Sequence, residues 1–211
     1  LEVSGYGTLA FYGSKGAADG GRCLTCSRKH DCEFYFDIEN DPFLKPYYLD
    51  AETLDGYVRD RCVFSEDTNI YDTMSLSVKY EGGVLLTYSL CAFSPYEGWK
   101  LVIHGTRGRL EAEQHYSGYR SKEPEGRIRI FLADGERMEA VVPKSAGSHS
   151  GGDIRLRKML FGQNVPDPLG QHADLRAGAM SMLIGAAANR AIREGRPVRI
   201  LEMLPESLVW Q

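Results

Sequence analysis

No apolar run in the 211-residue chain approaches the ~20 residues that a helical membrane span requires, and the first residues lack the basic stretch and apolar core of a secretory signal. Neither a spanning helix nor a leader at Leu1 is therefore expected. Charge of one sign is also lacking. The 25 Lys and Arg are scattered among 29 Asp and Glu, for a net charge of -4, which leaves no electrostatic footprint for nucleic acid or an anionic membrane surface. The expected ligand is small and mostly uncharged, or another protein. Cysteines do not form an even set: there are 5, four of them in the first third of the chain. That pattern argues against a secreted disulfide framework and favours a cytoplasmic location, with a signal on an upstream segment left open.

A βαβ repeat is missing too, and this decides how Gly5-Tyr6-Gly7-Thr8-Leu9-Ala10 is read. The spacing fits G-x-G-x-x-A, but a dinucleotide fingerprint needs a strand before it and a helix opening on it. Only four residues precede Gly5, and Ala10-Phe11-Tyr12-Gly13 is a poor helix start. No cofactor is expected there.

What the chain does contain is enough apolar material, 43% hydrophobic residues, for one globular domain with a real core. Val3 to Tyr12 reads as a strand with no polar lead-in, as though the chain began inside a larger protein. Gly13 to Asn69 is rich in loops, with short helices expected near Cys32 to Ile38 and Ala51 to Arg59; a loop this long is functional or pinned by something. From Tyr71 the pattern turns to period two. Met74, Leu76, Val78 and Tyr80 share one strand face against Ser75, Ser77 and Lys79, and Glu81-Gly82-Gly83 turns the chain into a second strand, Val84 to Phe93. Lys100 to His104 and Arg109 to Glu113 flank Gly105-Thr106-Arg107-Gly108; Arg127 to Leu132 alternates Arg127, Arg129 and Phe131 against Ile128, Ile130 and Leu132, and turns at Ala133-Asp134-Gly135-Glu136 into Arg137 to Val142. Six or seven antiparallel strands in one large sheet are expected.

Helices follow the strands. Asp153 to Phe161 carries Leu156, Met159 and Leu160 at helical spacing with Asp153 suited to the N-cap. Asp174 to Arg193 carries the stripe Leu175, Ala179, Met182, Leu183 and Ala186, stopped by Gly195 and Pro197. Strands first and helices afterwards is the α+β order, a large mostly antiparallel sheet with helices on one face. The Ser, Thr, Lys and Tyr of its second face are expected to meet a partner subunit.

The run Asp72 to Val84, the segment Gly105 to Glu111, the segment His149-Ser150-Gly151-Gly152-Asp153, and the ending Ala177 to Ser181 through Ala187 to Arg190 together resemble the C-terminal domain of the Gfo/Idh/MocA oxidoreductases. Each is weak alone, but their order and spacing cover nearly the whole chain. The resemblance implies a fold like the C-terminal domains of dihydrodipicolinate reductase and glyceraldehyde-phosphate dehydrogenase. It also implies a parent enzyme using NAD or NADP on a sugar, polyol or related CH-OH compound, and a homo-oligomer formed through the sheet. In that family the glycine-rich phosphate loop, the lysine of a Glu-Lys-Pro motif and an Asp/His pair lie upstream of the segment that Val3 resembles. Residues 1–211 are thus expected to be a single substrate-binding and oligomerisation domain without its nucleotide-binding half, holding no cofactor and inactive alone. An NAD-dependent glycosidase of the same superfamily, and a non-enzymatic sugar-binding or assembly domain, are the alternatives.

Five residues are the substrate-binding candidates. His149 and Asp153 sit in a flexible loop feeding a helix, where an imidazole and backbone donors suit hydroxyls. Tyr96, Glu97 and Trp99 join two strands, where aromatic faces and a carboxylate suit a sugar; packing of that loop against the sheet or a subunit is the role slightly favoured for the aromatics. Cys23-x2-Cys26-x5-Cys32 with Cys62 has the residue types for tetrahedral zinc, which would pin the long loop, with reduced thiols or a disulfide as alternatives. Cys91, mid-strand, is read as packing. Tyr47, Tyr48 and Tyr57 are read as packing more than as a lid.

Overall fold

The computed structural model describes residues 1–13, 21–122, 125–143, 147–162 and 165–204. It divides into two compact units, one of residues 1–93 with 180–211 and one of residues 94–179.

In the first unit, β1 (Glu2–Thr8), β2 (Thr73–Lys79), β3 (Leu85–Cys91) and the short β8 (Val198–Arg199) form a four-stranded sheet in the order β3-β2-β1-β8, antiparallel throughout. The alternation read for Met74 to Tyr80 is realised: Leu76 and Val78 are buried while Ser75, Ser77 and Lys79 are exposed. Leu76 and Val78 meet Val3, Val198, Ile200 and the helix Leu175–Glu194, which supplies Ala187, Ala188 and Ala191. The helix face differs from the expected one. Leu175 and Met182 stay 84% and 79% exposed, and the covered stripe runs through Leu183, Ile184, Ala187, Ala188 and Ala191. Small alanines at helical spacing let the helix axis approach the strands more closely than the longer side chains would allow.

The two glycines of the G-x-G-x-x-A spacing serve this packing. Gly5 lies opposite Leu76 in the β1–β2 ladder, and a Cβ on it would sit 2.3 Å from the Ser75 carbonyl oxygen; one on Gly7 would sit 2.8 Å from the Tyr71 ring and 2.9 Å from Ile192. The described residues directly after them, Leu9 to Gly13, form no helix. β1 ends at Thr8, earlier than expected, because the next amides leave the ladder for a carboxylate: Ala10, Phe11 and Tyr12 donate to Asp72 at 2.8, 2.7 and 2.9 Å.

Among its described residues, the long segment between β1 and β2 holds one short α-helix, α1 (Glu52–Asp55), and one turn of wider helix, Lys45–Leu49. The helix expected near Cys32 to Ile38 does not form, since its apolar residues are spent on local turns and an aromatic cluster. Phe34 meets Phe64 edge-on at 5.2 Å, and Phe11 stacks on Phe93 at 5.0 Å. A partly buried ion-pair triad adds a second fastening. Arg22 reaches Asp60 at 2.6 Å and Glu52 at 2.7 Å, and Asp60, 1% exposed, also accepts from the Leu24 amide. Tyr48 packs on Tyr57, and Tyr47 on Phe43, while Tyr47 and Tyr57 stay 67% and 49% exposed.

In the second unit, β4 (Gly98–Gly105), β5 (Gly108–His115), β6 (Glu125–Leu132) and β7 (Arg137–Pro143) form a four-stranded meander. The antiparallel α+β architecture therefore holds, but hydrogen bonding splits the expected single sheet in two. The break falls between Cys91 and Gly98, where Pro95 has no amide to continue a ladder. One face of the second sheet is mostly apolar, and the other mixes charged residues with Val102, Phe131 and Val141. Leu101, Ala112, Ile128 and Ala140 lie opposite one another on one face, as do Ile103, Leu110, Ile130 and Met138. The other face carries Lys100, Glu111, Glu113, Arg127, Arg129 and Glu139. α2 (Gly152–Phe161) follows β7, and its Leu156 and Leu160 are more than half exposed, at 55% and 66%.

Candidate functional site

The loop entering α2 is held in a conformation that ordinary residues avoid. His149 and Ser150 have φ of 49° and 56° with ψ of 41° and 39°, and two consecutive non-glycine residues there cost roughly 1–3 kcal/mol each. Their surroundings hold them. The Asp153 carboxylate grips His149 Nδ1 at 2.9 and 3.0 Å, and Ser150 Oγ accepts from Gln114 Nε2 at 3.3 Å. Asp153 is therefore not the N-cap of α2, as expected from its place in sequence. Gly151 occupies that position and no side chain caps it, because the kinked entry turns Asp153 back onto the residue four before it. A carboxylate only accepts, so in the neutral imidazole the Nδ1 that faces it carries the proton and Nε2 the lone pair. The His149 side chain is 81% exposed, so the ring is oriented by its partner yet presented outward.

Trp99 is tied to this loop by a relay. Its Nε1 donates to the Tyr116 hydroxyl at 2.8 Å, that hydroxyl donates to Gln114 Oε1 at 3.3 Å, and Gln114 Nε2 donates to Ser150. Gln114 lies directly opposite Trp99 in the β4–β5 ladder, and Tyr116 stands two residues on. Gln114, Tyr116 and the role of Ser150 were missed in sequence. The register was available, since the Gly105/Gly108 turn counts back to a Trp99–Gln114 pair, but no local pattern marks a polar relay. Tyr96 is placed otherwise: its ring meets His115 and Tyr119 edge-on at 5.3 and 5.6 Å with Arg120 over it at 5.5 Å, the packing role weighed for it in sequence. Glu97 is exposed and takes part through its backbone, accepting from the Tyr116 amide at 2.8 Å and donating to Ser117 Oγ at 3.2 Å. His149, Asp153 and Trp99 are thus brought into one connected edge, with Tyr96 beneath the strand connection.

Cys23, Cys26, Cys32 and Cys62 all line one cavity of about 330 Å³ with Arg22, Lys29, Phe34 and Arg61. They are free thiols. Burial pushes the Cys23 thiol above its ordinary value, with the charges of Asp60, Cys62 and Cys32 adding to the shift. Among the described residues no three His, Cys, Asp or Glu are gathered as a bound metal ion would hold them. Cys91 is exposed on β3.

Three comparisons bear on the chain. Residues 50–200 match the family model described as "Oxidoreductase family, C-terminal alpha/beta domain" of the Gfo/Idh/MocA group. The chain belongs to the Gfo/Idh/MocA oxidoreductase family. A relative by sequence is the Bacillus subtilis (strain 168) protein named "Putative oxidoreductase YteT", 33% identical over 220 residues. That alignment covers 96% of this chain and 51% of the relative, so the chain spans about half of that protein's length. A crystal structure of a "putative NADPH-dependent oxidoreductase" from Desulfitobacterium hafniense DCB-2 is similar at a TM-score of 0.46 and 16% identity, over 67% of this chain and 40% of that one. The matched residues include the strained His149 loop and the β4–β5 edge, so the candidate site lies inside the family's C-terminal domain.

Proposed function

We propose that this chain is the substrate-facing and assembly part of an NAD(P)-dependent oxidoreductase acting on a sugar, polyol or related CH-OH compound. The observation that carries the reading is the strained His149, held by Asp153 and presented outward at the start of α2. Strain of this kind persists where the surroundings over-determine it and marks functional positions. The oriented Nε2 lone pair accepts a hydrogen bond from a substrate hydroxyl, and Trp99, 43% exposed, offers an aromatic face to the C-H surface of the same molecule. The nicotinamide and the acid/base group that moves the hydroxyl proton belong to the rest of the parent enzyme, so this chain alone binds no nicotinamide and turns nothing over.

Replacing His149 by Ala in the full-length enzyme should raise KM about tenfold or more while changing kcat less, because a hydrogen bond made in ground state and transition state alike is lost. Asp153→Asn should reproduce part of the effect by releasing the ring. Unaltered KM in both variants would remove His149 from the site, and micromolar NAD or NADP binding by residues 1–211 would overturn the division of labour.

The apolar face of the second sheet supports the assembly role. Leu101, Ile103 and Met138 remain 45%, 51% and 50% exposed on one face. With strands about 4.8 Å apart and about 3.3 Å per residue, that face spans roughly 500 Å². This is much of the ~800 Å² per partner that a stable interface buries. A second copy of the chain is the occupant proposed for it, in a self-complementary pairing.

A further inference from the structure

We infer that Cys23, Cys26, Cys32 and Cys62 bind one structural zinc ion that pins the segment between β1 and β2. The inference is independent of the substrate reading and stands whether or not His149 meets a hydroxyl.

All four thiols line a single cavity, and the backbone treats them alike. The Cys23 carbonyl accepts from the Cys26 amide at 3.1 Å, that of Cys26 from Lys29 at 3.4 Å, that of Cys32 from Tyr35 at 3.1 Å, and that of Cys62 from Ser65 at 3.0 Å. Each cysteine therefore opens a tight turn, and Cys23 with Cys26 makes the Cys-x-x-Cys spacing from which zinc takes two sulfurs. Cys23 and Cys62 are fastened to each other's neighbourhood by an isolated antiparallel bridge, Arg22 to Arg61. Around it the Cys23 amide donates to Asp60 and the Cys62 amide to Gly21, both at 2.8 Å. Counting from that bridge, Cys23 lies opposite Asp60, two residues before Cys62. The two cysteines are diagonal neighbours on one ribbon face, a relation that separates Cα atoms by about 7–8 Å and Cβ atoms by less. Two zinc–sulfur bonds of about 2.3 Å at tetrahedral angles hold sulfurs about 3.8 Å apart, a gap that two cysteine side chains turned toward each other can close from there.

The charge balance agrees. Lys29, Arg59 and Arg61 line the same cavity, so a zinc ion with four thiolates, formally a dianion, meets cations at its wall. The segment also needs a fastening of this kind. Ile38 is the one fully buried apolar residue among the described residues of the segment, and small folding units with so little core use metal ligation to close. The sulfurs are not gathered on a metal in the present arrangement; the ion closes the site, each sulfur turning among the staggered χ1 wells of its own side chain. Zinc is favoured over an iron–sulfur cluster because Cys-x2-Cys-x5-Cys fits neither the bacterial nor the plant ferredoxin spacing.

Full-length protein purified without chelator should contain about one zinc per chain. Exchanged with cobalt(II), it should show the visible bands of tetrahedral cobalt and near-ultraviolet thiolate charge transfer. Both should vanish in Cys26→Ser and Cys62→Ser and persist in Cys91→Ser. Should a variant fail to fold, the wild-type protein still decides. Alkylation mapped by peptide mass should spare Cys23, Cys26, Cys32 and Cys62 until chelator is added while labelling Cys91 at once. Metal-free protein whose four thiols label freely, a disulfide among them, or iron with labile sulfide would each overturn the assignment.

Discussion

Removing the Asp72 side chain would leave the amides of Ala10, Phe11 and Tyr12 and the Thr73 hydroxyl, which donates at 3.0 Å, without the acceptor that holds them. Asp72 is 2% exposed, so water does not simply replace it. Asp72→Ala should cost on the order of 3 kcal/mol in urea unfolding, given about 1–3 kcal/mol for each buried group left unsatisfied, partly relaxed. Burial by itself raises the pKa of this carboxyl, but the donors from Ala10, Tyr12, Phe11 and Thr73 outweigh it and hold the value at about 2. With the unfolded value near 4, the contribution is fully present above about pH 4 and is lost as pH falls toward 2. Stability measured across that interval should fall less steeply in Asp72→Ala than in the wild type. Sequence marked Asp72 only as the lead-in to a strand. Its partners lie sixty residues upstream, a relation that no local pattern records, and for the same reason Asp153 was read as a cap when the kinked backbone before it gives it to His149.

At the level of elements, hairpins were legible and their endpoints less so. Met74 to Tyr80 and Arg127 to Leu132 announced themselves by period two and by the turns beside them, because one face of each meets apolar neighbours and the other does not. The two-residue β8 carries too few positions for any period. The covered face of the long helix was misjudged because Leu175 and Met182 look like core by size, whereas the close approach to the sheet selects alanines. Gly5 expresses the same constraint from the strand side. Gly5→Ala places a methyl 2.3 Å from the Ser75 oxygen and 2.7 Å from Leu76 Cδ2, so β1 and β2 must part. A loss of about 1–3 kcal/mol is expected from overpacking of this kind, readable as a lowered Tm, and a neutral outcome would show that the ladder yields there.

For the molecule as a whole, the apolar side of the second sheet should govern assembly. If a second copy pairs on this face as proposed, Leu101→Lys combined with Ile103→Lys should shift sedimentation toward monomer while leaving far-ultraviolet circular dichroism unchanged, because both side chains are about half exposed in the single chain and charges there oppose pairing more than folding. An unchanged sedimentation coefficient would assign this face to something other than a second copy. Charge alternation in β6 made the polar side of this sheet readable in sequence, yet the break at Pro95 that gives the sheet its separate identity looked like an ordinary connection.

The clasp at Asp72 has a consequence for how such chains can vary. Ala10 to Tyr12 lie where the long segment departs and Asp72 where it returns, and Gly13 adds a bond to the Val63 carbonyl at 2.9 Å. The segment is therefore an insert closed at its neck, with an ion-pair triad inside and an aromatic cluster that it shares with Phe93. Doubling the length of a closed loop adds only about 0.6 kcal/mol of closure entropy. The neck leaves β1 and β2 indifferent to what is strung between them, so an insert of this kind can lengthen, shrink or exchange its contents over generations while the ladder beside it keeps its register.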